Sequence, residues 1–353
     1  MASPYSLVRP LLFALPPSAA HAVGMAALAP LEYIGPLRWA ARGLFAPPPG
    51  LAKTVMGLTF PSPVGLAAGF DKNAARARAL ASLGFGHLEL GTVTAEAQEP
   101  NPTPNLFRLP KDHALINRLG FPNEGAERVL ARIEARGGAK ALGVPLGISI
   151  GKSRAVGIDP IEPAIDDYLT SFNWARRAAD FVVVNVSSPN TKDLRAMQGA
   201  DLARALLGAL SRANAAGGRR VPLLVKIAPD LTDAYLEALL AVVEDVKLDG
   251  VVATNTTIAR VGLLTDPDRV TAIGAGGLSG PPLRARALDV VRRVRARLGG
   301  SVAVIGAGGI ERGQDALELM NAGADLVQLY TSFIYRGPWT AWAVAREMAR
   351  MSS

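Results

Sequence analysis

The 353-residue chain contains no cysteine. Disulfides, thiolate nucleophiles and thiolate-bound zinc or iron–sulfur centres are therefore excluded, and the redox compartment is left open. Histidine is almost as scarce. His21, His87 and His113 are the only three, so a histidine-rich metal site is not expected, and no metal is. No stretch of about 18 apolar residues runs unbroken, so no segment should span a bilayer. No basic run is interleaved with aromatics. The net charge of +8 comes largely from arginines on expected helices, such as 284–298, which read as a solvated face, and nucleic acid is not expected. Two glycine-rich motifs, "GAGGLSG" (274–280) and "IGAGGI" (305–310), fall short of G-x-G-x-x-G. Ser279 and Glu311 occupy the last required positions, so a dinucleotide fingerprint is absent.

What is present is apolar. Hydrophobic residues make up 49% of the chain, enough for one large core, and α/β barrels reach this length as a single domain. Residues 6–45 stand apart. They are apolar, punctuated by proline and carry one acid, Glu32. A basic start and an A-x-A cleavage site are lacking, so a secretory signal is not expected. Ser18 is placed to cap a helix running to about Ala29. Leu37, Ala40, Ala41 and Leu44 share one face of a second short helix, with Arg38 and Arg42 opposite and Trp39 beside them. Composition leaves two readings of this segment open: a helical extension packed on the main domain, or an amphipathic unit in the membrane interface.

From residue 60 onward, short apolar runs alternate with helical patterns. The expected strands are 64–70, 87–94, 146–150, 181–188, 222–228, 250–257, 302–310 and 326–332. The expected helices are 74–84, 124–136, 162–178, 200–214, 232–246, 284–298, 312–322 and about 339–350. Near-continuous apolar strands separated by helices imply a parallel sheet covered on both faces. Eight such units imply an α/β fold of the (β/α)8 TIM-barrel type with an N-terminal helical extension. A doubly wound open sheet is the alternative. The segment 105–117 reads as a hairpin insertion.

Polar residues gather at the C-terminal strand ends: Asp71 and Lys72, Thr92 and Thr94, Ser149, Asn185 and Ser188, Lys226, Thr254 and Asn255, Tyr330. In a barrel those ends converge on the face that carries active sites. Glycine loops near the seventh and eighth strands bring backbone N–H groups to a phosphate. A phosphate site beside two lysines suggests a phosphorylated cofactor. A flavin needs a cation near its pyrimidine edge, and Lys226, in the apolar setting "LVKIAPD", suits that task if an anionic partner offsets its burial.

Together these segments resemble class 2 dihydroorotate dehydrogenases, the membrane-associated, quinone-reducing enzymes of pyrimidine synthesis. The matching pieces are "MGLTFPSPVGLAAGFDKN", "GFGHLELGTVT", "FRLPKDHALINRLGF", "NVSSPNT", "VKIAPDLT", "GVVATNTT", "GGLSGPPL", "IGAGGI" and "GADLVQLYTSFIYRGP". They run in order between residues 56 and 338. The resemblance implies oxidation of (S)-dihydroorotate to orotate on the route to UMP, with one FMN per chain as cofactor and a membrane quinone as acceptor. It divides the chain into a membrane and quinone-tunnel segment (1–45) and an FMN-binding barrel (46–353).

Carried over by motif, FMN would be held by Ala68, Gly69, Lys72, Thr92, Asn185, Lys226, Thr254, Gly280, Gly309, Tyr330 and Thr331. Ser149 would stand where the family usually has asparagine, and its shorter side chain would reach the flavin only through water. Substrate would be held by Lys72, Asn117, Arg118, Leu119, Gly120, Phe121, Asn185, Asn190, Asn255 and Thr256. Asparagines suit a ring of alternating amide donors and acceptors. The base would be Ser188, where the soluble class has cysteine, assisted by Lys72, Phe121 and Thr191. Thr191 and a water under Phe121 would relay the proton. Ser187 would point away and be structural, and 190–199 would form a lid. His21, Arg108 and Tyr330 would line the quinone site.

A peripheral position on the cytoplasmic side of the cell membrane follows from the resemblance, with an anionic lipid surface as partner and a monomeric chain. The alternatives are a related FMN barrel that uses a soluble acceptor such as fumarate or NAD, a flavin-free barrel that binds a phosphorylated metabolite, and a membrane-bound scaffold with a dead site.

Overall fold

The computed structural model describes residues 4–191 and 193–352. Eight strands form the centre: β1 (Val64–Leu66), β2 (His87–Val93), β3 (Leu146–Ile150), β4 (Phe181–Asn185), β5 (Leu223–Ile227), β6 (Gly250–Ala253), β7 (Ala303–Ala307) and β8 (Leu326–Leu329). Each pairs in parallel with its sequence neighbour, and the ring closes. Closure rests on β8 against β1, with Val327 opposite Val64 and Leu329 opposite Leu66. That pairing excludes the doubly wound alternative. Every residue of the eight strands is buried, as expected where helices cover the outside and side chains fill the inside. Most strands end earlier than expected, although β3 keeps its bounds and Thr92, Ser149, Asn185 and Lys226 stay within the ladder. The polar residues beyond them leave the ladder and become the loops of the barrel mouth.

The barrel floor is closed by an antiparallel hairpin, Lys53–Val55 with Leu58–Phe60. Phe60 enters an interior cluster with Phe181, Val183, Leu224, Val252, Ile305 and Leu326. Glycine makes room for large neighbours. A Cβ at Gly65 would sit 2.2 Å from the His87 ring, and one at Gly147 2.2 Å from the Phe181 ring. His87 is fully buried, and neither ring nitrogen has a partner among the described residues. Burial holds its pKa down, from 6.5 to about 3. The folded chain thus keeps His87 neutral where the unfolded chain protonates it. Its stabilising effect is complete above the unfolded value and is lost as pH falls from there toward the folded value. At pH 5 the expected loss is about 2 kcal/mol. Urea unfolding at pH 7 and pH 5 checks this: a His87→Leu variant should lose about that much less on acidification than the wild type.

The helices at Glu162–Ala178 and Arg284–Leu298 match their expected bounds. The first barrel helix is shorter than expected, Ala77–Ala81. Asp71 accepts hydrogen bonds from the N–H groups of Ala75 (2.9 Å) and Arg76 (2.7 Å), and Ala74 is left-handed (φ 51°). Those residues are spent on a turn that fixes the loop after β1.

Four helices precede the barrel: α1 (Tyr5–Ala14), α2 (Pro17–Ala27), α3 (Ala29–Tyr33) and α4 (Gly35–Leu44). Ser18 does not cap α2. Pro16 occupies the N-cap and Pro17 opens the helix, because a fixed φ and a missing N–H suit the first turn. Glu32, 1% exposed, fastens the segment. One carboxylate oxygen pairs with Arg136 (2.9 Å) and the other accepts the Ala79 N–H (3.0 Å).

The expected apolar face of α4 is split: Ala41 is buried, whereas Leu37 and Leu44 are exposed. Arg38 donates to the Leu31 and Glu32 carbonyls, and Arg42 to those of Ala141 and Leu142. The arginines therefore hold the protein, not a headgroup layer. Leu37, Trp39 and Leu44 are 44%, 79% and 66% exposed. The hairpin expected in 105–117 is present as Leu106–Leu109 and Ala114–Asn117, and Gly277–Ser279 joins it as a third strand.

Candidate active site

The barrel mouth opens into a cavity of about 1050 Å³. Of the residues expected to hold cofactor and substrate, all but Ser149 and Arg118 line it. Ser149 lies behind the wall, where its hydroxyl meets Thr92 Oγ1 at 2.9 Å. That threonine lines the cavity and also accepts from Asn185 Nδ2 (3.1 Å). The Arg118 guanidinium donates to the Ile273 and Ala275 carbonyls and lies over the Phe107 ring. It borders a second cavity instead.

Lys226 rises from β5 into the interior, and its ammonium lies 3.3 Å from Glu89 Oε1 of β2. Gln328 of β8 donates to the other Glu89 oxygen at 2.8 Å. The sequence condition for burying Lys226 is therefore met, by a residue the motifs had not singled out. Glu89 was detectable as the lone acid inside an apolar strand, "HLELGTV".

At the opposite end, Gly280, Gly308 and Gly309 adopt positive φ of 107°, 137° and 74°. Their backbones line the cavity, and glycine is required by packing behind it: a Cβ on Gly309 would meet Arg284, at the start of the helix Arg284–Leu298, at 2.5 Å. Thr331 and Ser332 line the same end, and Ser332 Oγ is buried with no partner among the described residues. A cation over the floor and a glycine cradle with hydroxyls at the far end fit the ring and phosphate of FMN. Only the last part of "GAGGLSG" serves this cradle, because Gly277–Ser279 is a strand and Ala275 and Gly276 border the second cavity.

The second cavity, of about 790 Å³, shares Ser188 and Asn190 with the first. A third, about 1270 Å³, lies under the N-terminal helices and shares Tyr330. Its wall is mostly apolar side chains, with His21, Arg108, Phe13 and Phe70 among them. The central chamber is thus flanked by a polar approach at Ser188 and an apolar one at Tyr330.

A sequence profile described as dihydroorotate dehydrogenase matches residues 50–351. A protein named dihydroorotate dehydrogenase (quinone) from Arthrobacter sp. (strain FB24) is 47% identical over 337 residues, covering 94% of this chain and 93% of the relative. One of that name from Clavibacter michiganensis is 48% identical over 345 residues, covering 98% of each. This chain belongs to the dihydroorotate dehydrogenase family. A crystal structure of DHODH from Eimeria tenella in complex with ferulenol superposes with a TM-score of 0.80 at 38% identity, covering 89% of each chain.

Within this family fold, Ser188 sits just past β4, 5% exposed, and its Oγ accepts the Asn190 N–H at 3.2 Å. Thr191 lines the second cavity, and its hydroxyl is buried with no partner among the described residues. Asn190 Nδ2 donates to Asn117 Oδ1 (3.0 Å). Ser187 turns behind the wall, as expected, and joins two amides: its Oγ donates to Asn185 Oδ1 (3.1 Å) and accepts from Asn255 Nδ2 (3.0 Å). Gly120 and Phe121 are both left-handed, with φ of 76° and 55°, which presses the Phe121 ring against Gly151.

Lys72 donates to the Gly69 carbonyl at 2.7 Å. Burial outweighs the nearby Asp71 and brings its pKa down to about 8. Burial and the Lys72 charge bring His21 down to about 4, and burial raises Tyr330 to about 12. The expected lid at 190–199 is strapped down, although Lys192 lies outside the described residues. Arg195 donates to the Ser187 carbonyl, to Asp230 (2.7 Å) and to the Thr256 carbonyl. One side chain thereby ties together the loops after β4, β5 and β6.

Proposed function

We propose that this protein oxidises (S)-dihydroorotate to orotate, with FMN in the central chamber and a membrane quinone as the final acceptor. The observation that carries this reading is the arrangement of three cavities. One chamber meets a polar approach through Ser188 and an apolar approach through Tyr330, so two substrates of opposite polarity reach one cofactor from different sides. When bound, FMN would supply the two-electron acceptor for the hydride lost from C6 and the link from which the electrons reach quinone.

The chain's own residues do the rest. Asn117, Asn185, Asn190 and Asn255 would present amides to the substrate ring, and Lys72 would touch both flavin and substrate. Ser188 Oγ accepts the C5 proton. A hydroxyl is a weak base, but loss of the C6 hydride acidifies C5, so the two departures support each other. Thr191 Oγ1, buried and without a partner among the described residues, is available to pass that proton outward. A Thr191→Val variant should therefore reduce its flavin more slowly in single turnovers, and an unchanged rate would remove Thr191 from the path.

Residues 1–45 form the membrane and quinone segment, and 46–353 the catalytic barrel. Among the described residues no helix is long and apolar enough to cross a bilayer. Support for a peripheral position comes from exposed apolar residues on α1 and α4, with Leu7 81%, Leu11 73% and Trp39 79% exposed. They would sink into the interface of an anionic, cytoplasm-facing leaflet as one monomer. Changing Leu37 or Leu44 to aspartate should weaken sedimentation with anionic vesicles by about tenfold or more. Turnover of dihydroorotate with a ubiquinone analogue and not with fumarate is the expected result for the whole reading. The reverse preference would favour a soluble acceptor.

A further inference from the structure

Glu89 has no place in the reaction as described, yet it is an acid with a side chain fully shielded from solvent. It points inward from the middle of β2, one layer above the apolar floor. Its two oxygens have two partners, Lys226 at 3.3 Å and Gln328 Nε2 at 2.8 Å. Lys226 and Gln328 reach the chamber wall, but Glu89 does not. Three strands far apart in sequence thus supply one side chain each, a carboxylate, an ammonium and an amide, to this buried contact.

A buried carboxylate is costly to desolvate, and Lys226 alone would give the chamber floor its cation. With Glu89 in place, that cation is half of a neutral pair. The field it projects upward is that of a short dipole, weaker than that of a lone charge. We propose that Glu89 is a positioning and charge-setting residue that acts through Lys226: it holds the ammonium at the chamber floor and limits how strongly the floor favours a reduced flavin. This rests on the reading that FMN occupies the chamber.

The test is a spectroelectrochemical titration of FMN bound to the wild type, Glu89→Gln and Glu89→Asp proteins. Removing the negative charge should raise the ratio of reduced to oxidised flavin at a fixed potential at least tenfold, about 30 mV for a two-electron couple. Glu89→Asp keeps the charge but draws it away from Lys226, so it should move the ratio the same way by at least threefold. A residue with only a packing role would lower stability and leave the ratio alone. Equal or lower ratios in Glu89→Gln overturn the proposal. If that variant does not fold, equal or lower ratios in Glu89→Asp do so. Wild-type protein that takes up no FMN sinks the functional reading itself, and this inference with it.

Discussion

Replacing Ser188 by alanine is expected to slow anaerobic reduction of the bound flavin by dihydroorotate by about 100- to 10,000-fold, the usual span for loss of a positioned base. The same variant should bind FMN as the wild type does. The two outcomes separate because Ser188 sits at the seam between two cavities, away from the Lys226 floor and the glycine cradle. Among the described residues its Oγ has one hydrogen-bond partner, the Asn190 N–H, so alanine leaves little unsatisfied. Stopped-flow bleaching of the flavin band, read beside FMN titration, checks both. A Ser188→Ala protein that bleaches at the wild-type rate would remove the hydroxyl from the chemistry.

Lys226→Ala is expected to have the largest effect on the folded state. It strands the Glu89 carboxylate, fully shielded, with Gln328 as its one remaining partner. Breaking a buried pair from one side costs about 3–5 kcal/mol. FMN binding should weaken by about ten- to a hundredfold, the worth of a lost hydrogen bond to a charged group. Combining Lys226→Met with Glu89→Gln should recover most of the stability, since an uncharged pair fills the same space, and none of the FMN affinity. Urea unfolding and fluorescence titration of FMN measure the two effects separately.

The barrel was legible because its strands announce themselves. "FVVV" (181–184) and "LLV" (223–225) are buried on both faces in a closed parallel sheet, so each reads as an apolar run up to the polar residue near its C-terminal end. The helices at Glu162–Ala178 and Arg284–Leu298 carry their own periodicity and emerged with their bounds intact. The first helix was overestimated because Asp71 bonds the next turn's N–H groups. That choice between turn and helix depends on where the carboxylate points.

Composition and residue order alone determined the absence of thiol chemistry, the eight strand–helix units, and the gathering of serine, lysine and asparagine at strand ends. Those are local properties, written in neighbouring residues. Only the tertiary structure decided that Glu89 and Gln328 seat Lys226, that Ser149 meets Thr92, and that Gly277–Ser279 is a strand. It also turned the arginines of α4 inward and left its leucines and tryptophan outside. Each of these is a contact between residues tens to hundreds of positions apart, or a choice of which face meets the barrel. Neither exists until the ring of strands has closed.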